Sequence, residues 1–444
     1  MGTRLQTPEK VRILQTKLND KAKREPAFRF YLLYDKVYRQ DILQHAYALR
    51  RSKGGAPGVD GIGFEDIERA GAEDWLRTLG AELQEGSYRA QPVRRVMIPK
   101  AGGGERPLGI PTVRDRVVQT AALLILEPIF EADFEANAYG YRPGRSAQDA
   151  VLDALAALQS GESDVVDADL SKYFDTIPHD KLMQSVARRI SDGKMLHLIK
   201  MWLKAPVEET NERGRTRLTG GQQSSRGTPQ GGVISPLLAN LYIHRLLRAW
   251  TKFDLKERLG ARIINYADDL VIVCRTQTGA QAAHVWLKAI LERLGLQLNE
   301  QKTCIRDGRR ESFDFLGYTF GPQRNRRTGR MYAGVTPSRK AIARARQTIQ
   351  RLLRSGNQAP TSVVIARMNR SLIGWSNYFN LGTPRYAATA VDRYAFAQLR
   401  AFLVRRHKVP ARGTRRFTWQ HLHQTLGLVC LQERRRHVPL HALS

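Results

Sequence analysis

The sequence predicts a mixed α+β chain, and three features carry that reading. Residues 263–273 (IINYADDLVIV) place a short polar break between two β-branched runs, the pattern of two strands joined by a tight turn. Residues 93–112 (VRRVMIPKAGGGERPLGIPT) alternate on both sides of Gly102-Gly103-Gly104, which predicts a second hairpin with a permissive tip. The remainder carries mostly helical patterning, with Pro360, Pro384 and Pro410 as breaks in the basic C-terminal region.

A chain of 444 residues has room for two to four units. A hydrophobic fraction of 42% builds real cores and excludes wholesale disorder. No apolar run reaches the roughly 18 residues of a membrane span, so no membrane partner is expected. The N-terminal stretch lacks the apolar segment of a secretory signal. Cys274, Cys304 and Cys430 are scattered and fit neither a disulfide framework nor a Cys-x-x-Cys zinc site, which points to a reducing cytoplasm.

Charge narrows the partner. Lys and Arg number 72 against 42 Asp and Glu, a net +30, which implies a polyanion such as nucleic acid. Phe315 to Ser444 holds 24 Lys or Arg and two acids, Asp392 and Glu433. A solvated helical face mixes signs, so this one-signed region is expected to contact nucleic acid.

In chain order, residues 1–50 read as helical. Phe28, Phe30, Tyr31, Tyr34 and Tyr38 are spaced as on one helix face, favouring core packing over base stacking. The turn-rich 52–61 (SKGGAPGVDG) follows, without a phosphate-binding G-x-G-x-x-G or GK[ST] pattern. After the 93–112 hairpin come a helix from Asp115 to about Ala132, the YGYRPGRS segment and a second helix. Residues 164–175 (DVVDADLSKYFD) read as an acid-bearing strand running into a turn, with Asp169 and Phe174 near its end. A long basic helix and a polar loop at 208–226 precede GTPQGG and an apolar helix to about Trp250. A helix from about Gly279 to Leu294 leads to GLQLNEQKTC and the short apolar FDFLGYTF. In the basic region, MNRSLIGWSNYF mixes aromatics with arginine, which suits RNA or single strands and equally suits helix packing.

Several of these segments carry two readings when taken singly. Asp268 and Asp269 at a hairpin tip repel each other, and a pair of Mg²⁺ ions would remove that cost and support phosphoryl transfer. An exposed turn accommodates the same residues. Asp169 is a metal ligand or a helix cap. Lys100 and Arg106 flank the glycine tip and reach one phosphate group together, or are solvated loop charges. The glycines around Gln230 let a ligand approach the backbone, or mark a plain turn.

The order of the segments decides among them. GAPGVDG, IPKAGGGERPLGIPT, YGYRPGRS, DADLSKYFDTI, RGTPQGGVISPLLANLYI, YADD, and LNEQKTC with FLGYTF follow one another, and MNRSLIGWSNYF comes after. Over about residues 25–400 the chain resembles the group II intron-encoded reverse transcriptase/maturase family. The resemblance implies a right-hand polymerase: fingers and a palm of antiparallel sheet packed on helices, then an α-helical thumb. It implies units at 1–80 (N-terminal extension contacting RNA or template), 81–320 (fingers and palm), 321–408 (thumb) and 409–444 (basic DNA-binding tail).

The same resemblance assigns residues. Asp169 and Asp268, supported by Asp269, would be the catalytic carboxylates holding two Mg²⁺ (or Mn²⁺), with the Leu170 carbonyl as a further ligand. Lys100 and Arg106 would grip the triphosphate, Gln230 the incoming nucleotide, and Lys302 the leaving pyrophosphate. Phe174 would crowd a ribose 2′-hydroxyl and so favour dNTPs. Phe315-Leu316-Gly317 would be the primer grip. Arg412, Arg415, Arg416, Arg434, Arg435 and Arg436 would bind DNA electrostatically. The short basic remainder after the thumb, with one cysteine, resembles the class without a zinc-supported endonuclease. The implied function is RNA-directed DNA synthesis coupled to splicing and mobility of an intron, with structured intron RNA, RNA template, DNA primer or target, and dNTPs as partners. A homodimer stays open, as does an alternative in which the same polymerase serves DNA repair or antiviral defence without an intron.

Overall fold

The computed structural model describes residues 5–99, 104–210, 215–229, 231–325, 328–354, 356–410 and 413–434. Lys100, Gln230, Arg412, Arg435 and Arg436 lie outside the described residues.

Five helices open the chain: α1 (Glu9–Arg24), α2 (Tyr34–Val37), α3 (Gln40–Lys53), α4 (Phe64–Ala70) and α5 (Ala72–Glu85). The aromatic cluster does not share one helix face. Helix α1 stops before Pro26, which cannot continue it, so Phe28, Phe30 and Tyr31 lie in the connection to α2. Phe30 and Tyr34 are buried there, whereas Tyr31 is 69% exposed. The connection is pinned by the buried Asp192, whose carboxylate accepts from the backbone N–H groups of Leu33 and Tyr34 at 2.7 and 2.8 Å.

Strands β1 (Val93–Pro99) and β2 (Glu105–Ile110) form the expected hairpin. Helices α6 (Val113–Glu131) and α7 (Ala147–Gln159), strand β3 (Asp164–Asp169) and helices α8 (Tyr173–Thr176), α9 (His179–Ala187) and α10 (Gly193–Leu203) follow. The single basic helix of the sequence reading is therefore two, α9 and α10, separated at the Asp192 cap. The 208–226 segment is not all loop. β4 (Pro206–Thr210) and β5 (Thr216–Gly220) form a hairpin that joins the fingers sheet in the order β2-β1-β4-β5. Their side chains are half-buried or exposed, so little apolar alternation is required and the strand signal is weak.

Next come α11 (Ser235–Lys252), α12 (Leu255–Leu259), β6 (Ala261–Tyr266), β7 (Asp269–Cys274), α13 (Gln277–Leu294) and β8 (Cys304–Asp307). The palm sheet has the order β6-β7-β3-β8 and is antiparallel throughout. Both its faces are covered, which explains the nearly continuous apolar strands. Val166, Ala168, Ile263, Leu270 and Ile272 enter a large core shared with α6, α11, α13 and the N-terminal helices. Val165, Ile264, Val271 and Val273 enter a second core with α7 and with a three-stranded sheet of β9 (Phe313–Phe315), β10 (Tyr318–Arg324) and β11 (Met331–Pro337).

Helices α14 (Arg339–Leu352), α15 (Thr361–Tyr378) and α16 (Arg385–His407) form a third core. Phe417, Leu422, Leu428 and Leu431 are buried in that core too. The described part of the segment expected as a tail is thus packed on the helical unit through at least Leu431. Asp392, buried and one of the two acids of the basic region, accepts from the backbone N–H groups of Leu431 and Gln432 at 2.9 and 3.1 Å. No helix of the described residues is long and apolar enough to cross a membrane.

Candidate active site

The YADD segment closes β6 onto β7 with Ala267 and Asp268 as the two turn residues. Ala267 has φ 59°, a left-handed backbone that costs a non-glycine residue about 1 kcal/mol or more. The surroundings hold it there. Asn265 donates to the Ala267 carbonyl at 2.8 Å. The segment before α7 forms a parallel bridge to the hairpin, with Tyr139 N–H donating to the Asn265 carbonyl at 2.8 Å and Asn265 N–H to the Asn137 carbonyl at 3.0 Å. Gly140 lies directly under the turn: a Cβ there would stand 2.4 Å from the Ala267 nitrogen. Asn240 of α11 donates to the Gly140 carbonyl at 2.5 Å. The YGYRPGRS block is therefore a backbone support for the acidic turn. Asn137, Asn240 and Asn265 escape sequence reading because their role is to satisfy backbone groups between distant segments.

Asp169 ends β3 directly opposite Asp269. Opposed residues of an antiparallel pair share a face, and Asp167 lies on that face by its period of two. Asp269 stays open to solvent, yet the protein crowded around it, and then the like charges of Asp268, Asp169 and Asp167, push its carboxyl up to about 6. Asp167 is also pushed up, by burial first and then by Asp314 and Asp169, against the pull of Arg306 and Lys340. Asp169 itself is braced by the LNEQK block. Asn299 donates to its carboxylate at 3.0 Å and Lys302 at 3.3 Å, while its carbonyl accepts from Asn299 N–H at 2.8 Å. Leu170 continues this contact as an antiparallel bridge to Leu298.

Asp268, next to Asp269, also lines a cleft of about 570 Å³ together with Arg106, Tyr141 and Phe174. Phe174 is fixed by the GTPQGG loop, since Thr228 N–H donates to its carbonyl at 2.7 Å and Gly227 N–H to the Ile177 carbonyl at 2.9 Å. The same loop touches β2 at Gly231, where a Cβ would come within 2.1 Å of the Gly109 carbonyl oxygen. Arg106, Phe174 and Asp268 are thereby brought to one cleft by three separate segments. Arg50 and Lys53, at the end of α3, also line it and were not singled out in the sequence reading. The basic run Arg50-Arg51-Ser52-Lys53 just before GAPGVDG is the signal that was available. These cations suit an anionic ligand. Arg50 pushes the Lys53 ammonium down, and burial adds to the shift.

Phe315 is buried, and Leu316 and Gly317 form the turn between β9 and β10, with φ of 51° and 82°. Positive φ at both positions is the hairpin turn that suits a right-twisted pair. The turn docks on the end of α15: Tyr378 donates to the Leu316 carbonyl at 2.9 Å, and a Cβ on Gly317 would meet the Phe379 ring at 3.3 Å. Tyr318 donates in turn to the Tyr378 carbonyl. Burial, then Tyr266 and Asp269, push the Tyr378 hydroxyl up to about 12, so the thumb helix reaches the neighbourhood of the acidic hairpin.

Among the described residues no set of three or more His, Cys, Asp or Glu side chains forms a ready-made cation cage. The carboxylates nevertheless fit divalent ions. Asp269 is held above its ordinary range by crowding and then by the like charges of its neighbours, and Mg²⁺ sites usually need one or two carboxylates completed by phosphate oxygens and water.

The profile described as reverse transcriptase (RNA-dependent DNA polymerase) matches residues 98–320, and that of the group II intron, maturase-specific domain matches residues 342–421. The chain is 36% identical to protein YkfC of Escherichia coli over 74% of its own length and 93% of that protein. It is 38% identical to the group II intron-encoded protein LtrA of Lactococcus lactis over 51% of its own length and 37% of LtrA. It is 31% identical to an uncharacterized 91 kDa protein in the cob intron of Schizosaccharomyces pombe, over 52% of this chain and 28% of that one. The chain belongs to the reverse transcriptase family and carries a group II intron maturase domain.

Proposed function

We propose that the chain copies an RNA template into DNA at the Asp169–Asp268–Asp269 cluster, and that it binds a structured intron RNA to promote splicing and mobility of that intron. The observation that carries the first part is the convergence of Asp268, Arg106 and Phe174 on one cleft, with Asp169 and Asp269 opposed in register beside it.

Asp169, Asp268 and Asp269, with the Leu170 carbonyl, would hold Mg²⁺. Two such ions would supply charge neutralisation at the phosphates and at the attacking and leaving oxygens. The chain's own residues do the rest. Arg106, with Arg50 and Lys53, attracts and orients the triphosphate. Phe174, held by Thr228, crowds the sugar and so prefers a deoxyribose. Lys302 moves from Asp169 towards the charge that develops on pyrophosphate. The Leu316-Gly317 turn, buttressed by Tyr378, seats the primer end. Lys100 and Gln230 complete the grip on the nucleotide.

The intron role is supported by the maturase profile at 342–421 and by the likeness to LtrA, a group II intron-encoded protein. The one-signed charge from Phe315 onward supplies the RNA-binding surface. Primer extension with an RNA template, DNA primer, dNTPs and Mg²⁺ tests the first part: extension is expected, and lost in Asp268→Ala with RNA binding retained. No product from the unaltered chain would overturn it. Splicing of an intron transcript flanking the gene, with and without protein, tests the second.

A further inference from the structure

A second charged cavity lies away from the cleft and shares none of its lining residues. It encloses about 330 Å³ between α9, α11 and the end of α6. Four arginines line it, Arg188, Arg189, Arg245 and Arg248, against Asp133 and Glu135.

These charges are not equivalent. Arg189 is buried and structural: it donates to the Ala22, Pro26 and Phe28 carbonyls and ion-pairs with Asp133 at 3.0 Å. Asp133 is thereby matched. Arg245 donates to the Lys181 carbonyl at 3.1 Å. The side chains of Arg188 and Arg248 form neither a hydrogen bond nor an ion pair among the described residues, although both act through space on Asp133 and His244. With Asp133 matched, three guanidinium groups face one remaining carboxylate, Glu135.

His244, on the same cavity wall, is 6% exposed, and its Nδ1 has no hydrogen-bond partner. A buried ring nitrogen without a partner is costly, and such groups in folded proteins call for an explanation. Burial first, then Arg248, Arg142 and Arg188, push this imidazole down to about 4 and keep it neutral. Its Nδ1 is itself sealed from solvent, so the neutral ring, packed edge-on against Phe134 at 5.5 Å, forms part of the wall beside the arginines.

We propose that this cavity is a phosphoryl-group site that receives a backbone phosphate of the bound RNA. Guanidinium forks match phosphate oxygens in pairs, and an oxyanion would satisfy the cation surplus of this cavity. The volume lies at the low end for a drug-sized ligand, which fits a phosphodiester group better than a whole nucleotide. Arg188 and Arg248 are exposed at the rim, where a polymer can reach them. The assignment rests on the reading of the chain as an RNA-binding reverse transcriptase, and it places an RNA contact on the palm in addition to the basic thumb.

The test uses the full chain with Arg188→Gln and Arg248→Gln combined, both at exposed positions that leave the core intact. Binding of a structured intron transcript is measured against KCl concentration, alongside extension of a short primer on a short RNA template. The expected result is a loss of affinity of about tenfold or more and a log–log salt slope smaller by about one to two, with short-template extension unchanged. An unchanged slope with no protection by inorganic phosphate overturns the site. If the slope is unchanged while inorganic phosphate protects the unaltered chain, but not the variant, against thermal unfolding, the cavity takes a free phosphate and the RNA assignment fails. Failure of the unaltered chain to extend the primer would instead strike the polymerase reading. Failure of the unaltered chain to bind the transcript would overturn both the RNA role and this site.

Discussion

Asp169 and Asp269 are direct register partners across β3 and β7, so two carboxylates of the proposed catalytic set emerge side by side from the same sheet face. Without cations they repel each other, with Asp268 and Asp167 adding to the field. Asp269→Asn is therefore expected to raise the melting temperature of the metal-free protein at pH 8, and Asp169→Asn to cut primer extension by about 10³-fold or more. Thermal denaturation in chelator and single-turnover extension check the two halves. An Asp169→Asn enzyme of near-normal rate would remove Asp169 from the catalytic set.

Lys302 reaches the Asp169 carboxylate at 3.3 Å, in a pair largely open to water. Such pairs contribute at most about 1 kcal/mol, so Lys302→Met should shift the melting temperature little. If this lysine serves the leaving pyrophosphate, kcat should fall by about 10²-fold, in the range of positioned proton donors. A large stability loss with unchanged kcat would mean that its role is structural.

Gly140 leaves no room for a side chain beneath the Ala267 nitrogen. Gly140→Ala must push the acidic turn outward, and a displacement near 1 Å at a reacting centre costs on the order of 10²-fold in rate. Gly374 in α15 has open space around its Cβ position, so Gly374→Ala should instead stabilise by about 0.5–1 kcal/mol. Paired extension and denaturation assays separate the two glycines.

Tyr378 donates to the Leu316 carbonyl and links the thumb helix to the turn expected to grip the primer. Tyr378→Phe removes that bond, of about 1 kcal/mol, and keeps the ring packing. Primer–template affinity should weaken about fivefold with the dNTP KM unchanged. Equal affinity in the variant would show that Phe379 packing alone holds the turn.

Glu127 lines the cleft beside Arg50 and Lys53, and burial followed by Glu131 pushes it up to about 7, against the pull of Lys53. An unfolded glutamate titrates at about 4.3. The folded state thus holds the proton more tightly. The resulting stability is complete below about pH 4.3 and is lost as pH rises through about 7. Glu127→Gln should gain on the unaltered chain progressively across that window and by a constant amount above it. Melting curves at pH 5 and pH 8 are the check, and equal increments at both would contradict the shift.

How much of this was legible beforehand depended on whether the signal was local. The hairpin at 263–273, the acid-bearing strand ending at Asp169 and the helices after 339 follow from periodicity and turn chemistry within a few residues. The paired glycine-rich and acidic blocks, taken in order, pointed to the family. The fingers strands at 206–220 were missed because half-exposed strands need no apolar alternation. The aromatic run at 28–38 was misplaced because Pro26 ends α1 and the same residues pack from a connection.

By itself the sequence determined the charge, the strands carrying the carboxylates and the order of blocks, because each is written in neighbouring residues. Only the tertiary structure decided that Gly140 lies under the turn, that Arg50 and Lys53 join Arg106 in the cleft, and that Tyr378 reaches the Leu316 carbonyl. It also decided that residues 413–431 belong to the helical body, through Asp392 and the buried Phe417, Leu422, Leu428 and Leu431. The physical reason is common to all of them. These are contacts between segments tens to hundreds of residues apart, made by backbone groups and side chains whose partners no local pattern can specify.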